Sequence, residues 1–196
     1  MIDHREVPFS RRSRAAAAVT TGGGEPTSVL DMTSIADEAV QRLWQKVCQA
    51  NGADPSSLTA VEHFGDNPAM ADELLALVLD GTKTATAGLV RDFEVDGKPL
   101  SKAGDHWVVL DGHDVPRCVL RTVQVRVGLL ESVDAAFAWD EGEGDRTREW
   151  WLDAHRRFFL RRSWDLPYDE QRDMVVFERF KIVWPESEPR DGAAQR

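Results

Sequence analysis

The 196-residue chain carries a formal charge of −10, with 30% charged residues and two cysteines. Its length suits one domain with a sizeable core, and its acidity excludes the broad phosphate-neutralising surface that nonspecific nucleic-acid binding requires, while leaving room for a local basic cleft. Cys48 and Cys118 have neither zinc-like spacing nor a disulfide framework and read as reduced core residues of a cytoplasmic protein; no apolar run reaches the length of a membrane span, and the Ala15 to Val19 patch is too short for a signal peptide.

Residues 1–30 lack hydrophobic periodicity and hold Arg5, Arg11, Arg12 and Arg14 against Asp3, Glu6 and Glu25, a composition that predicts a disordered tail. The Arg11-Arg12-Ser13-Arg14 cluster reads as a solvated arm in preference to an RNA contact. A single domain is expected over 31–185, followed by a flexible tail over 186–196. Its first element is a helix over 33–52, opened by Ser34 with Asp37 as an approximate capping-box partner and ended by Asn51-Gly52. Ile35, Ala36, Ala39, Val40, Leu43, Trp44, Val47 and Cys48 recur on one face of it. After a loop over 53–59, Asn67 and Pro68 supply the cap and first position of a second helix lined by Met70, Leu74, Leu77 and Val78. Gly81 stands where that helix needs a left-handed terminating residue.

The chain is organised around the run that follows, Asp80-Gly81-Thr82-Lys83-Thr84-Ala85-Thr86-Ala87-Gly88. In a strand, positions 83 and 86 face opposite sides, so Lys83 and Thr86 share a cleft only if the backbone turns between them; a solvated loop is the plainer alternative. Beyond this run the period changes. Residues 105–110, 117–127 and 174–184 are rich in Val, Trp and Phe, and turns at Asp96-Gly97, Asp111-Gly112 and Pro116 separate short strands, which predicts a small barrel. A helical insertion over 132–139 and 146–159 precedes the last strand, with Trp150, Trp151, Ala154 and Phe158 on one face and His155 beside them, a position that favours a packed, hydrogen-bonded histidine. Alternation in the last strand sets Glu178 among apolar neighbours, where it needs a partner unless a bulge turns it outward. His106, Asp111, His113 and Asp114 read as solvated turn residues, so no metal site is assigned.

Asp140-Glu141-Gly142-Glu143-Gly144-Asp145 places four carboxylates around two glycines, and such an array repels itself unless a cation lies near. Asp145 has a plain explanation as a helix cap and Glu141 as a solvated acid. If Glu143 faces Lys83, the carboxylate keeps the lysine charged or exchanges a proton with it, and with Thr86 nearby the trio resembles an activated-nucleophile site.

Several elements occur together here: Gly81-x-Lys83-x-x-Thr86, the preceding Ala71-Asp72-Glu73-Leu74, Gly104-Asp105 leading into a strand, Glu141-Gly142-Glu143-Gly144-Asp145, and Trp151-x-x-x-His155-x-x-Phe158-Phe159. The ordered set resembles the ASCH domain, a relative of the PUA RNA-binding fold, over about residues 61–184. The resemblance implies an α+β fold, a small mixed PUA-like barrel surrounded by helices, here with an extra N-terminal helix, and a nucleoside or short RNA as ligand. One enzymatic branch of the family hydrolyses the amide of N4-acetylcytidine with a lysine, a threonine and a glutamate, and the motifs carry these roles onto Lys83, Thr86 and Glu143. In that mechanism Lys83, its pKa lowered by burial, takes the proton of Thr86, and Glu143 protonates the leaving amine or activates water. Phe64, Arg91, Trp107, Glu141, Asp145 and His155 are the accompanying ligand-binding candidates. One alternative is a non-catalytic RNA- or nucleotide-binding module in which Lys83 and Arg91 meet phosphate and Trp107 or Phe64 stacks a base; a metal-dependent ribonuclease is another, since a family member is so described. No cofactor and no membrane partner is implied, and the sequence leaves the oligomeric state open. The chain departs from the amidohydrolase branch at Gly88, where that branch carries an arginine.

Overall fold

The computed structural model describes residues 32–162 and 167–185, the side chains of 32–36 excepted; the predicted tails and the Ser34 cap lie outside the described residues. Five helices and five strands follow in the order α1 (Met32–Asn51), β1 (Leu58–Glu62), α2 (Pro68–Leu79), β2 (Ala85–Leu89), α3 (Val90–Val95), β3 (His106–Leu110), β4 (Pro116–Leu129), α4 (Ala135–Glu141), α5 (Arg148–Arg162) and β5 (Met174–Trp184). The strands form one mixed sheet in the order β1-β3-β4-β5-β2, in which β1 pairs parallel to β3 and β2 antiparallel to β5. The expected barrel is therefore corrected to an open sheet whose outer strands are β1 and β2. Pairing between distant segments decides closure, and local alternation carries no record of it.

The helix boundaries follow from particular residues. Asn67 Oδ1 accepts the Met70 amide at 3.0 Å, which caps α2, and Pro68 occupies its first position, where no donor is needed. At the other end Gly81 adopts φ 79°, and the amides of Gly81 and Lys83 bond back to the carbonyls of Val78 and Leu77, both at 2.9 Å. Those two bonds fix the direction in which the chain leaves α2 and so aim Lys83.

By packing, the chain forms two compact units. Among the described residues, one comprises 32–75, 106–120 and 182–185, the other 76–105, 121–162 and 167–181. In the first, Val40, Leu43, Trp44 and Val47 of α1 cover Leu58 and Val61 of β1, Val108 and Leu110 of β3 and Val119 of β4. Both cysteines are free, and burial pushes the Cys118 thiol up to about 12, which leaves it a packing residue.

In the second unit Ala85 and Leu89 of β2 and Val175 and Phe177 of β5 meet Phe137 and Ala138 of α4 and Trp151, Leu152 and Phe159 of α5. The register explains this grouping: Ala85, Ala87 and Leu89 stand opposite Arg179, Phe177 and Val175, and this set shares the helix-covered face. Thr86 and Gly88, opposite Glu178 and Val176, therefore belong to the other face of the sheet.

The two glycines of the acidic turn have separate steric reasons. Gly142 ends α4 at φ 74°, and a Cβ there would lie 2.5 Å from the Thr82 carbonyl oxygen; Gly144, at φ 55°, lies beneath the Trp150 ring, 2.1 Å from where a Cβ would be. Gly142→Ala is expected to destabilise the protein by about 2 kcal/mol or more, because a backbone clash adds to the left-handed penalty. Denaturant unfolding measures this, and a cost below about 0.5 kcal/mol would contradict the close approach of Thr82 to the end of α4.

Candidate functional site

Lys83 is the most deeply buried cation of the second unit, 2% exposed, and its surroundings are built to hold a charge. The ammonium donates to Glu141 Oε2 through a very short contact and to Glu143 Oε1 at 2.6 Å, with the Glu141 carbonyl at 3.5 Å. Glu141 is the last residue of α4, and Gly142 then turns the chain so that Glu143, two residues on, reaches the same ammonium from another side. A second anchor joins these segments: the amide of Thr84 donates to the Asp140 carbonyl at 2.7 Å, while Asp140 Oδ2 accepts from Arg179 Nε at 2.7 Å.

The side chains of Glu141 and Lys83 are each 1% exposed and that of Glu143 is 19% exposed, so Glu143 is the member that solvent or a ligand can reach. Burial alone would lower the pKa of Lys83, but the two carboxylates outweigh it and hold the pKa above the usual lysine value. Burial raises Glu141 to about 7, against the pull of Lys83 and with repulsion from Glu143. Glu143, also penalised by burial, ends below its ordinary range because the charge and hydrogen bond of Lys83, with a hydrogen bond from Glu141, favour its charged form. Near neutrality the cluster thus holds an ammonium, a carboxylate and a Glu141 that burial pushes toward its protonated form.

His155 completes the cluster from α5. Its ring stacks on Trp151 with centroids 3.8 Å apart, and Nδ1 lies 3.1 Å from the Trp151 carbonyl. A carbonyl only accepts, so Nδ1 carries the hydrogen and Nε2 turns a lone pair toward Glu141 Oε1, 3.7 Å away. Burial pushes the imidazole pKa down to about 4, so the ring is neutral and the proton retained by Glu141 faces a basic nitrogen. Glu141 Oε1 and Trp151 Nε1 are both buried, and the Trp151 side chain acts on Glu141 in the direction of its charged form.

The ASCH-domain family profile matches residues 60–184. This chain belongs to the ASCH-domain family. Among solved structures it is similar to an ASCH domain from Lactobacillus crispatus JV V101, at 25% identity and a TM-score of 0.65 over 79% of this chain and 97% of that one. It is also similar to a protein from Enterococcus faecalis V583, at 26% identity and a TM-score of 0.66 over 81% and 98% of the two chains. No curated protein matches it.

With the ASCH membership established, the other predicted site residues can be placed. Thr86 is the second residue of β2, opposite Glu178. Asp145 shapes the turn into α5, accepting from Thr147 N at 2.9 Å and Thr147 Oγ1 at 2.6 Å. Arg91 is engaged by Asp173 at 3.2 Å and the Pro167 carbonyl at 3.3 Å, so it is no free phosphate clamp. Phe64 and Trp107, both in the first unit, are 5% and 8% exposed and pack edge to face at 5.5 Å, which leaves little ring surface to stack a base. Glu178 turns inward and not outward through a bulge: it is buried, and Thr122 Oγ1 donates to its Oε1.

The expectation that Lys83 is a base of lowered pKa is corrected by the same geometry, since two adjacent carboxylates hold its proton in place. Sequence reasoning valued Glu141 below Glu143 because a helix-terminal acid beside glycines resembles solvated surface; the needed signal was that α4 ends at Glu141 itself. In the first unit, ligand atoms of Asp72, Asp111 and His113 come within 4.8 Å of one another and could hold a metal ion. Their carboxylates also serve the turn between β3 and β4, where Asp72 Oδ1 accepts Gly112 N and Asp111 Oδ1 accepts His113 N and Val115 N.

Two outcomes follow from the charge count. Lys83→Met leaves two buried acids without their cation, at a cost of about 3 kcal/mol at pH 8 and less at pH 5, where the acids are protonated. Equal costs at the two pH values in chemical denaturation would refute the ion-pair account. Glu141 has a folded pKa near 7, above the ordinary 4.5, so its contribution is intact below about pH 4.5 and is lost as pH rises toward 7. Relative to Glu141→Gln, the wild-type protein should therefore lose melting temperature between pH 5 and pH 8; a gap that stays constant or widens in favour of wild type would show that Glu141 titrates normally.

Proposed function

We propose that this ASCH-domain protein binds a nucleoside-sized ligand and hydrolyses the amide of an acylated nucleoside such as N4-acetylcytidine, using Lys83, Thr86 and Glu143. The observation that carries the reading is the buried ammonium held between Glu141 and Glu143, with a threonine three residues further along the same segment. A lysine kept charged cannot act as the base at neutral pH, but it is well suited to stabilise the oxyanion that forms when a nucleophile adds to an acyl carbon.

The roles divide accordingly. The Thr86 oxygen attacks the acyl carbon, and Lys83 stabilises the negative charge that develops on the carbonyl oxygen. The carbon–nitrogen bond breaks and the nucleoside amine departs with the proton that the Thr86 hydroxyl gave up. Glu143, ionised and partly accessible, then takes a proton from the water that attacks the acyl-threonine, and that proton returns to the Thr86 oxygen as the acid is released. Gly88 lies two residues beyond Thr86 on the same strand face, and the nearest atom to a Cβ there would be Phe93 Cε2 at 3.8 Å. Substrate groups that an arginine would crowd or bind in the amidohydrolase branch meet open backbone here, which favours an acyl or base substituent different from that branch's own.

The acidic net charge, −10, points the same way, toward a small ligand and against a long polyanion. Purified protein is expected to release acid from N4-acylcytidines. Thr86→Val and Glu143→Gln should each lower kcat about 100-fold or more while melting within a few degrees of wild type. Turnover that both variants retain in full would sink the reading, and so would saturable binding of short RNA that weakens steeply with salt in the absence of any turnover.

A further inference from the structure

A charged Lys83 leaves the Thr86 hydroxyl without a proton acceptor in the first step, since Glu143 is assigned to the later attack by water and the cluster packs on the face of β2 away from Thr86. Glu141 and Glu143 hold Lys83, and Asp140 holds Arg179. His155 directs its one N–H at the Trp151 carbonyl and its lone pair at Glu141.

A further buried acid of this unit stands on the Thr86 face of the sheet. Glu178, on β5, is directly opposite Thr86 on β2. The Phe180 amide donates to the Thr84 carbonyl at 2.9 Å, so pairing continues one step past the end of β2, and Thr86 with Glu178, two residues along, is a pair of the same hydrogen-bonded type. Side chains so paired share a face with Cβ atoms about 5 Å apart, which makes Thr86 and Glu178 cross-strand neighbours. On its other side Glu178 accepts a hydrogen bond from Thr122 Oγ1 of β4, itself buried. Three neighbouring strands thus line up hydroxyl, carboxylate and hydroxyl.

We propose that Glu178 is the proton acceptor for Thr86. This inference rests on the proposed function, since it assumes that Thr86 is the nucleophile. As the Thr86 oxygen bonds to the acyl carbon, its proton passes to the Glu178 carboxylate. When the carbon–nitrogen bond breaks, the carboxylic acid returns that proton to the departing nitrogen, so Glu178 is ionised again before water enters. Thr122 fixes the carboxylate's orientation and is a positioning residue.

The test compares wild type, Thr86→Val, Glu178→Gln and Glu178→Asp on N4-acetylcytidine, with thermal melting as the check of folding. Glutamine keeps an oxygen for Thr122 and removes only the basicity, so Glu178→Gln should lose about 100-fold or more in kcat with KM within about threefold and a melting temperature close to wild type. A purely structural glutamate would instead show a changed melting temperature and intact kcat per folded molecule. Glu178→Asp withdraws the carboxylate by one methylene and should lose about tenfold in kcat; it decides the question if the glutamine variant does not fold. Full kcat in folded Glu178→Gln, or in Glu178→Asp, while Thr86→Val is inactive overturns this inference alone. Turnover that survives Thr86→Val, or a wild-type protein with no turnover, overturns the reading beneath it as well.

Discussion

The second unit depends on one electrostatic fact: a lysine ammonium has been taken out of water and given two carboxylates in exchange. Moving such a charge into a protein interior costs several kcal/mol even after relaxation, and only close, hydrogen-bonded partners offset it. Lys83 has them in Glu141 and Glu143. Two acids around one base, however, leave an excess negative charge, and the structure relieves it by protonation: Glu141, the more buried acid, is the one whose pKa rises to about 7. His155, kept neutral by the same burial, adds no second cation, and its lone pair faces the proton that Glu141 keeps.

Much local geometry serves this arrangement. Lys83 leaves α2 through a glycine-ended turn and passes so near the end of α4 that residue 142 has no room for a side chain. Glu141 and Glu143 come from one short turn, yet no helical or strand period relates them, because α4 stops at the first and a left-handed glycine precedes the second. The aromatic stripe of α5 forms the floor of the cluster, with Trp151 stacked on His155 and set edge-on to Phe137.

These features differ in how far the sequence exposes them. Asn67-Pro68, Gly81 and the valine-rich strands β3, β4 and β5 are legible because a cap, a terminator or a period of two is a local cause with a local signature. β1 is not: its five residues pair in parallel with β3, so no hairpin turn announces it, and the segment reads as loop until Val61. α3 spans six residues and has no side-chain cap, too little for a helical period to register. In the site, the acidic turn's need for a cation raised the pairing of Lys83 with Glu143 across sixty residues, and the family pattern gave the two residues their roles. What that pattern could not convey was the sign of the lysine shift, because desolvation and two neighbouring charges oppose one another and only geometry decides between them.

That sign has a structural consequence for any chemistry on β2. Residues of one strand alternate between faces, and Thr86 belongs to the face of Gly88, Glu178 and Val176, while Ala85 and Ala87 pack against α4 and α5. An ammonium that surrendered its proton would have to reach around the strand to serve Thr86 as a base; one that keeps its proton has no such task and need only project a field toward the strand's outer edge. Among the described residues β2 is the outer strand of the sheet on that side. Charge stabilisation and proton acceptance can then be separated, the first drawn from the loop-borne cluster around Lys83 and the second from the carboxylate across the ladder. The division removes a conflict inherent in a single lysine, which cannot be charged enough to steady an oxyanion and neutral enough to take a proton at the same pH.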